Sequence, residues 1–325
     1  MAGPRLSFCI PTLNRGSTIE AAIESIAAQA DADDEIVIVD GASTDDTPAI
    51  VERLQTTSRT PIKYERGDRN RGVDRDLARA VELATRDGCW LFSADDALAP
   101  GAIARMRGAL EAAGIALCNR VVCARDLKPL RGQEWLPGSP STTFAIDDDD
   151  TLLDYLGRAR SIGALFSYIS CIAFRRRLWT GGDEALGTNF AHAHRLLVAA
   201  RAGARLRYVR DELVLCRGDN DSFSSKGPLA RFLVDVDGYE AIARLVFQDE
   251  PSLRLAFTSV MRTEHPWYML TSPRSRASGS EWSPIEDRLA AFGYGRAELL
   301  AARVLGSQRW LVGAARRVRR AVRMR

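Results

Sequence analysis

The chain has 325 residues, 46% hydrophobic and 27% charged, an ordinary soluble composition with room for one large domain or two smaller ones. No apolar run approaches 18 residues, and the opening MAGPRLSFCIPTLNR lacks a long apolar core and a cleavage site, so neither a helical membrane span nor a secretory signal is expected. The net charge of +3 belongs to the tail: residues 299–325 hold eight Arg and no Lys, Asp or Glu, which leaves the rest net acidic and argues against a basic nucleic-acid groove.

The first 120 residues alternate strand and helix. RLSFCI (5–10) reads as a strand that PTLNRG breaks. Ser17 to Glu20 form a capping-box pattern, followed by Ile19, Ala22, Ile23, Ile26 and Ala27 at helical spacing. EIVIVD (35–40) is continuously apolar before its acid, as a strand covered on both faces should be. GASTDDT leads into a helix with Asp45 and Asp46 in its first turn, at the positive end of the dipole. PIKYER (61–66) is a third strand, residues 73–86 a helix with Leu77, Ala80, Val81 and Ala84 inward, and CWLFS (89–93) a fourth strand. This alternation predicts an α/β fold with a largely parallel sheet.

Beyond residue 120 the pattern loosens. Residues 127–143 read as a long Pro/Gly/Ser-rich loop, and the four acids at 147–150 as the cap of a helix beginning at Thr151. A strand at 171–176, a helix at 189–202 and two short strands within 205–217 follow, and the chain from Pro228 onward is mostly helical. The predicted organisation is a domain over 1–225, with halves 1–120 and 121–225, and a helical region over 226–325. The six cysteines are scattered without a CxxC, which suits reduced buried thiols, and no Cys/His spacing suggests a structural zinc site.

Ligands of such sheets bind at the carboxyl ends of strands. Asp40 ends the second strand, Asp95 and Asp96 follow the fourth, and PTLNR follows the first, so three polar features converge on one edge. The adjacent acids after WLF demand a positive partner, since neighbouring carboxylates repel. No GxGxxG follows the first strand and no GxxxxGK[ST] occurs, so neither a dinucleotide fingerprint nor a P-loop is present.

LSFCIPTLNR, EIVIVDGASTDDT, RNRG and WLFSADD, in this order and spacing, resemble the nucleotide-sugar domain of family 2 glycosyltransferases, of GT-A fold. GVDRDLARAVELATRDGCWLFSADD is similar to the abequosyltransferase-like branch that builds bacterial surface polysaccharides such as O-antigen. The resemblance covers residues 5–120 strongly and extends to about residue 225. It implies a nucleoside-diphosphate sugar donor, a saccharide or lipid-linked acceptor, and a divalent Mn²⁺ or Mg²⁺ ion as the positive partner, bound at Asp95. Ser93 stands where relatives carry an Asp that contacts ribose, and a hydroxyl also bonds a ribose. Asp96 reads either as a nucleotide contact, or as a helix cap or a residue that orients its neighbour. Asp40 matches the residue contacting base or ribose, with a turn-forming role as its alternative, and Pro11 and Thr12 edge the nucleotide. Asn14 and Arg15 read as turn or surface residues.

The helix after RNRG departs from the family pattern. Arg75 suits the diphosphate and Asp74 the base, unless these are simply an acid-rich first turn. The acceptor-activating base implied by the family, counted back from Gly203, falls on His192, with Asp183 and Glu184 as the alternatives. A packing role for His192 stays open. Arg217 reads as a diphosphate ligand or a surface residue at a strand end. The tail QRWLVGAARRVRRAVRMR sets an apolar stripe against arginines, which suits either an anionic membrane surface or a solvated helix docked on the body. The expectation is a cytoplasmic enzyme, peripheral at the inner face of the plasma membrane and binding no nucleic acid. A catalytically inactive nucleotide-sugar-binding subunit and a sugar-phosphate nucleotidyltransferase are the rival readings, though the latter needs a Gly-rich triphosphate loop that the chain lacks.

Overall fold

The computed structural model describes residues 3–218 and 226–308. The chain divides into two compact units, Met1–Asn220 and Asp221–Arg325.

The first unit is built on one mixed sheet. Strands β1 (Leu6–Thr12), β2 (Glu35–Asp40), β3 (Ile62–Arg66) and β4 (Gly88–Leu91) lie in the order β3-β2-β1-β4, all parallel. Each crossover carries a helix: α1 (Ile19–Ala27), α2 (Thr47–Thr57) and α3 (Val73–Leu83). All six residues of β2 are buried, as its unbroken apolar run requires. Helix α3 packs on β1 and β2, turning Leu77, Ala80 and Val81 inward. At the centre Trp90 is fully buried, stacked on Phe8 at 5.6 Å with Phe92 edge-on at 6.5 Å. Burying a ring of this size removes roughly 150–250 Å² of surface from water, a main source of core stability.

The sheet continues through β9 (Ile172–Arg175), antiparallel to both β4 and β6 (Ile115–Cys123). The long β10 (Leu206–Arg217) runs parallel to β6 and antiparallel to the short β5 (Ala97–Leu98). Residues 205–217 thus form one strand rather than two; register shifts between Val209 and Val214 mark where the pattern misled. The expected loop at 127–143 holds β7 (Pro129–Gln133) on β6 and β8 (Thr142–Phe144) on β10. Both are edge additions, where proline is tolerated.

Local signals fared unevenly. β1 runs through Pro11, which pairs with Val39, so the break falls after Thr12. Helix α1 starts at Ile19 with Thr18 as N-cap and no side-chain cap, so no capping box forms. Asp45 lies just outside α2 and accepts from the Thr47 and Gly16 backbone N–H groups, stitching the first loop to the helix start. Helix α5 (Asp149–Arg158) is capped by Asp148, whose carboxylate accepts from Thr151 N–H at 2.9 Å. Helix α4 (Ala102–Ala112) packs on β6, β9 and β10, and α6 is Ala191–Arg201. All six cysteines are free.

The second unit is helical: α7 (Pro228–Val246), α8 (Pro251–Glu264), the short α9 (Thr271–Arg274), α10 (Gly279–Ala291) and α11 (Arg296–Ser307). Tyr239, Phe247, Phe257 and Trp282 fill its core. The buried Asp235 is compensated by Arg231 at 2.7 Å and His265 at 3.0 Å. Among the described residues no helix is long and apolar enough to cross a membrane. The Arg-rich stretch 309–325 lies outside the described residues.

Candidate functional site

The carboxyl ends of β2, β1 and β4 lie side by side and meet the start of α3. Thr12 ends β1 directly opposite Asp40. Asp40 is fully buried; its Oδ1 accepts from the Ser43 N–H at 2.8 Å and its Oδ2 from the Tyr64 hydroxyl at 2.7 Å. Burial and the Asp40 carboxylate push the Tyr64 phenol well up from its usual value. The Gly41 N–H donates to the Thr12 carbonyl at 2.9 Å, which locks the two strand ends together. Asp76, in the first turn of α3, faces this junction. A Cβ on Gly41 would stand 2.8 Å from Asp76 Oδ2 and 3.7 Å from the Thr12 carbonyl oxygen. Burial, helped by Asp40, pushes the Asp76 carboxyl up to about 6 despite Arg71.

The acidic segment after β4 is braced from several strands. The Trp90 indole N–H donates to the Ser170 carbonyl at 2.8 Å. The Ser170 hydroxyl accepts from the Ser93 N–H at 3.0 Å and donates to Asp96 Oδ2 at 2.6 Å. Asp96 Oδ1 accepts from the Arg217 N–H at 3.1 Å. Burial and the neighbouring Asp95 charge push the Asp96 carboxyl up to about 6, with Ser170 and Arg120 opposing. Asp96 therefore braces the segment from within, which matches the orienting alternative rather than direct nucleotide contact. The Ser93 hydroxyl donates to Asp95 Oδ1, and Asp95 Oδ2 stands 3.9 Å from Arg15 Nε. Asp95 is the partly exposed member of the pair.

Arg217 has a tethering geometry: Nε donates to the Asp95 carbonyl at 2.8 Å and Nη1 to the Arg125 carbonyl. Its guanidinium thus holds the backbone of the acidic segment, where a diphosphate contact was expected. Arg15, read from sequence as a turn or surface residue, does sit in the turn before α1, where its carbonyl accepts from the Thr18 and Ile19 N–H groups, and its side chain also reaches Asp95.

Both oxygens of Asp74, read from sequence as a base contact or part of an acid-rich first turn, are engaged by backbone. Its Oδ2 accepts from the Gly187 and Asn189 N–H groups at 2.9 and 2.8 Å, and its Oδ1 from the Ala191 N–H at 3.1 Å. One carboxylate on α3 thereby caps α6 from across the fold and satisfies donors that the helix start leaves open. Arg75, between Asp74 and Asp76, is exposed while both acids are buried, so the three do not act as one group. His192, in the first turn of α6, is 4% exposed and its Nε2 lies 2.9 Å from the Phe166 carbonyl. A carbonyl only accepts, so Nε2 carries the proton and Nδ1 is the basic atom. Burial lowers the His192 pKa, with Asp74 and the Phe166 and Ser167 backbone opposing. The alternative bases hold the other side of α6: Asp183 pairs with Arg195 at 2.7 Å, and Glu184 lies 3.6 Å from the buried His194.

Sequence reasoning passed over Ser170 and Arg120 and gave Asp76, noted beside Asp74 and Arg75, no role of its own. Arg120 Cζ lies 3.5 Å from the Tyr168 ring centroid, and Tyr168 stacks on Trp135 at 5.0 Å. Only for Asp76 was there a signal: an acid at an inward position of an otherwise amphipathic helix. Among the described residues no three His, Cys, Asp or Glu side chains converge into a cation cage.

The model of Glycosyl transferase family 2 matches residues 7–177. The abequosyltransferase RfbV of Salmonella typhimurium is 36% identical over 275 residues, 82% of either chain. The succinoglycan biosynthesis protein ExoO of Rhizobium meliloti is 34% identical over 132 residues, 39% of this chain and 36% of that one. S. aureus TarS 1-349 in complex with UDP-GlcNAc is similar in fold, with a TM-score of 0.65 at 15% identity over 95% of this chain and 92% of that one. The mannosyltransferase PcManGT from Pyrobaculum calidifontis, in complex with GDP-Man and Mn²⁺, has a TM-score of 0.52 at 19% identity, covering 96% of this chain and 86% of that one. The GT-A-like sheet, the family match across more than half the chain and the long alignment to one relative agree: this chain belongs to the family 2 glycosyltransferases and is abequosyltransferase-like.

Proposed function

We propose that the protein transfers a sugar from a nucleoside-diphosphate sugar to a hydroxyl of a saccharide or lipid-linked acceptor, with inversion, in the synthesis of a bacterial surface polysaccharide. The observation that carries this reading is the single edge on which a buried polar notch (Thr12, Asp40, Gly41, Asp76) adjoins the Ser93–Asp96 segment and Arg15. The relative named an abequosyltransferase supports it, as do the nucleotide-sugar complexes of the similar folds.

A divalent cation, Mn²⁺ or Mg²⁺, is the proposed cofactor, with Asp95 as its protein ligand. The donor set fits an open site: one partly exposed carboxylate of hard oxygens, leaving the remaining positions to phosphate oxygens and water. When bound, such an ion neutralises charge building on the departing diphosphate. Arg15, already at Asp95, adds a second positive group there. On the acceptor side His192 is the proposed base: burial favours its neutral ring, and the Phe166 carbonyl fixes the tautomer that leaves Nδ1 able to take a proton. The tail, with its apolar and arginine stripes, is proposed to hold the protein at the inner face of the plasma membrane.

Hydrolysis of a nucleoside-diphosphate sugar, lost in Asp95→Ala, tests the activity and separates an enzyme from an inactive binding subunit. A thermal-shift panel of nucleoside diphosphates with and without Mn²⁺ tests the cofactor, since a ligand of the native state raises the melting temperature. Co-sedimentation of the full chain with anionic vesicles, and its persistence after truncation at residue 308, would remove the membrane role of the tail.

A further inference from the structure

The two buried acids of the notch are in opposite situations. Asp40 has both oxygens engaged, by Ser43 on its own turn and Tyr64 on β3. Its carboxylate ties three segments together and is structurally accounted for. Asp76 is 8% exposed, yet among the described residues its carboxylate accepts no hydrogen bond. It faces Asp40, a like charge, and Arg71 is the cation that opposes this. The Thr12 hydroxyl, 4% exposed at the end of β1, is also without a partner. Buried polar groups are nearly always satisfied, so the Thr12 hydroxyl marks a missing partner, and the Asp76 carboxylate beside it has acceptor capacity that no protein donor fills.

Gly41 shapes the space between these groups. Any side chain there would meet Asp76 Oδ2 at 2.8 Å, while the Asn70 Oδ1 lies 3.8 Å from the same point. The bare Gly41 thus lets the Asp76 carboxylate come up against the strand end, where a side chain would push it away. An ionised carboxylate has acceptors alone, so the missing partner must donate.

Building on the donor reading above, we propose that Asp76, rather than Asp40, reads the base of the donor nucleotide, accepting an N–H from the base's pairing edge at the Thr12–Gly41 strand ends. Asp40, with both oxygens engaged, then serves as the support that positions those strand ends. Asp76 is a specificity-determining residue, whose acceptor capacity the protein leaves to the ligand.

The test measures affinities of CDP, UDP, GDP, ADP and dTDP, with Mn²⁺, for wild type and Asp76→Asn, which exchanges one acceptor for a donor at constant shape. The expected result is a loss of about tenfold or more for the preferred nucleotide and a collapse or inversion of base preference, as befits a charged hydrogen bond. Asp76→Asn is also expected to melt higher than wild type without ligand, because a buried like-charge contact is removed; a merely structural Asp76 would make it melt lower. Ribose 5-phosphate should compete equally well against both proteins. Asp76→Ser provides the same comparison if Asp76→Asn does not fold. Unchanged base preference in the variant overturns the proposal, and so does an equal loss for ribose 5-phosphate, which would place Asp76 on the sugar. Failure of wild type to bind any of the five nucleotides is a different result and removes the donor site itself.

Discussion

The Ser170 hydroxyl donates to Asp96 Oδ2 at 2.6 Å, and this contact joins residues 74 positions apart in the chain. The Ser170 Oγ also accepts from the Ser93 N–H at 3.0 Å, so one hydroxyl holds both ends of the acidic segment. Ser170→Ala leaves a buried carboxylate oxygen and a backbone N–H unsatisfied together. The expected cost is about 2–3 kcal/mol of stability, a fall of several degrees in melting temperature, with weaker nucleotide binding because Asp95 loses its footing. Thermal melts and nucleotide titrations of the variant check this; unchanged values in both would show that the segment stands without Ser170.

Asp74 supports α6 from a different element, so its removal should separate binding from turnover. Asp74→Ala frees three backbone N–H groups at 187, 189 and 191 and is expected to cost about 2 kcal/mol. Because the loop that loosens leads into His192, kcat should fall more than donor affinity, and Asp74→Asn should restore only part of the loss. Steady-state kinetics at varied donor concentration read the split.

The buried Asp76 predicts a pH dependence of stability. Its carboxyl is raised to about 6 from the ordinary Asp value of 3.8, so over this range the folded protein holds a proton that the unfolded chain has released. The stability so contributed is complete below the ordinary value and is lost as pH rises through about 6. The melting temperature of wild type should therefore drop between about pH 4 and 7 relative to Asp76→Asn, whose curve lacks this contribution. Parallel curves for the two proteins would show that Asp76 does not titrate there.

His192 predicts a pH–rate profile. Burial lowers its pKa below the ordinary histidine value, which favours the neutral, proton-accepting ring. The acid limb of the turnover profile should therefore lie at lower pH than a solvent-exposed histidine would give. His192→Gln should lower kcat by roughly 10²–10⁴-fold while nucleoside diphosphate binding persists, the range of a lost general base. Retained turnover in a folded His192→Gln protein would assign the ring to packing.

Local chemistry made much of the nucleotide half readable in advance. EIVIVD, covered on both faces, had to be an inner strand, and strand–helix alternation left few topologies besides a parallel sheet with Asp40 and the 95–96 acids on one edge. The second half was harder to read because β9 and β10 pair with strands far away in sequence, and β7 and β8 owe their existence to neighbours rather than to their own residues.

For individual site residues the limit has the same origin. The sequence alone determined that carboxylates gather at the ends of β2 and β4, because apolar periodicity dictates where strands stop. It did not tell which of them are already satisfied. Asp40, Asp74 and Asp96 are engaged by Tyr64, the 187–191 backbone and Ser170, whereas Asp76 faces a bare glycine. The contacts that Arg217 and Arg15 make with the acidic segment escaped the sequence for a similar reason. A side chain's role depends on whether its hydrogen-bonding capacity is filled, and those partners come from segments that only tertiary packing brings within 3 Å.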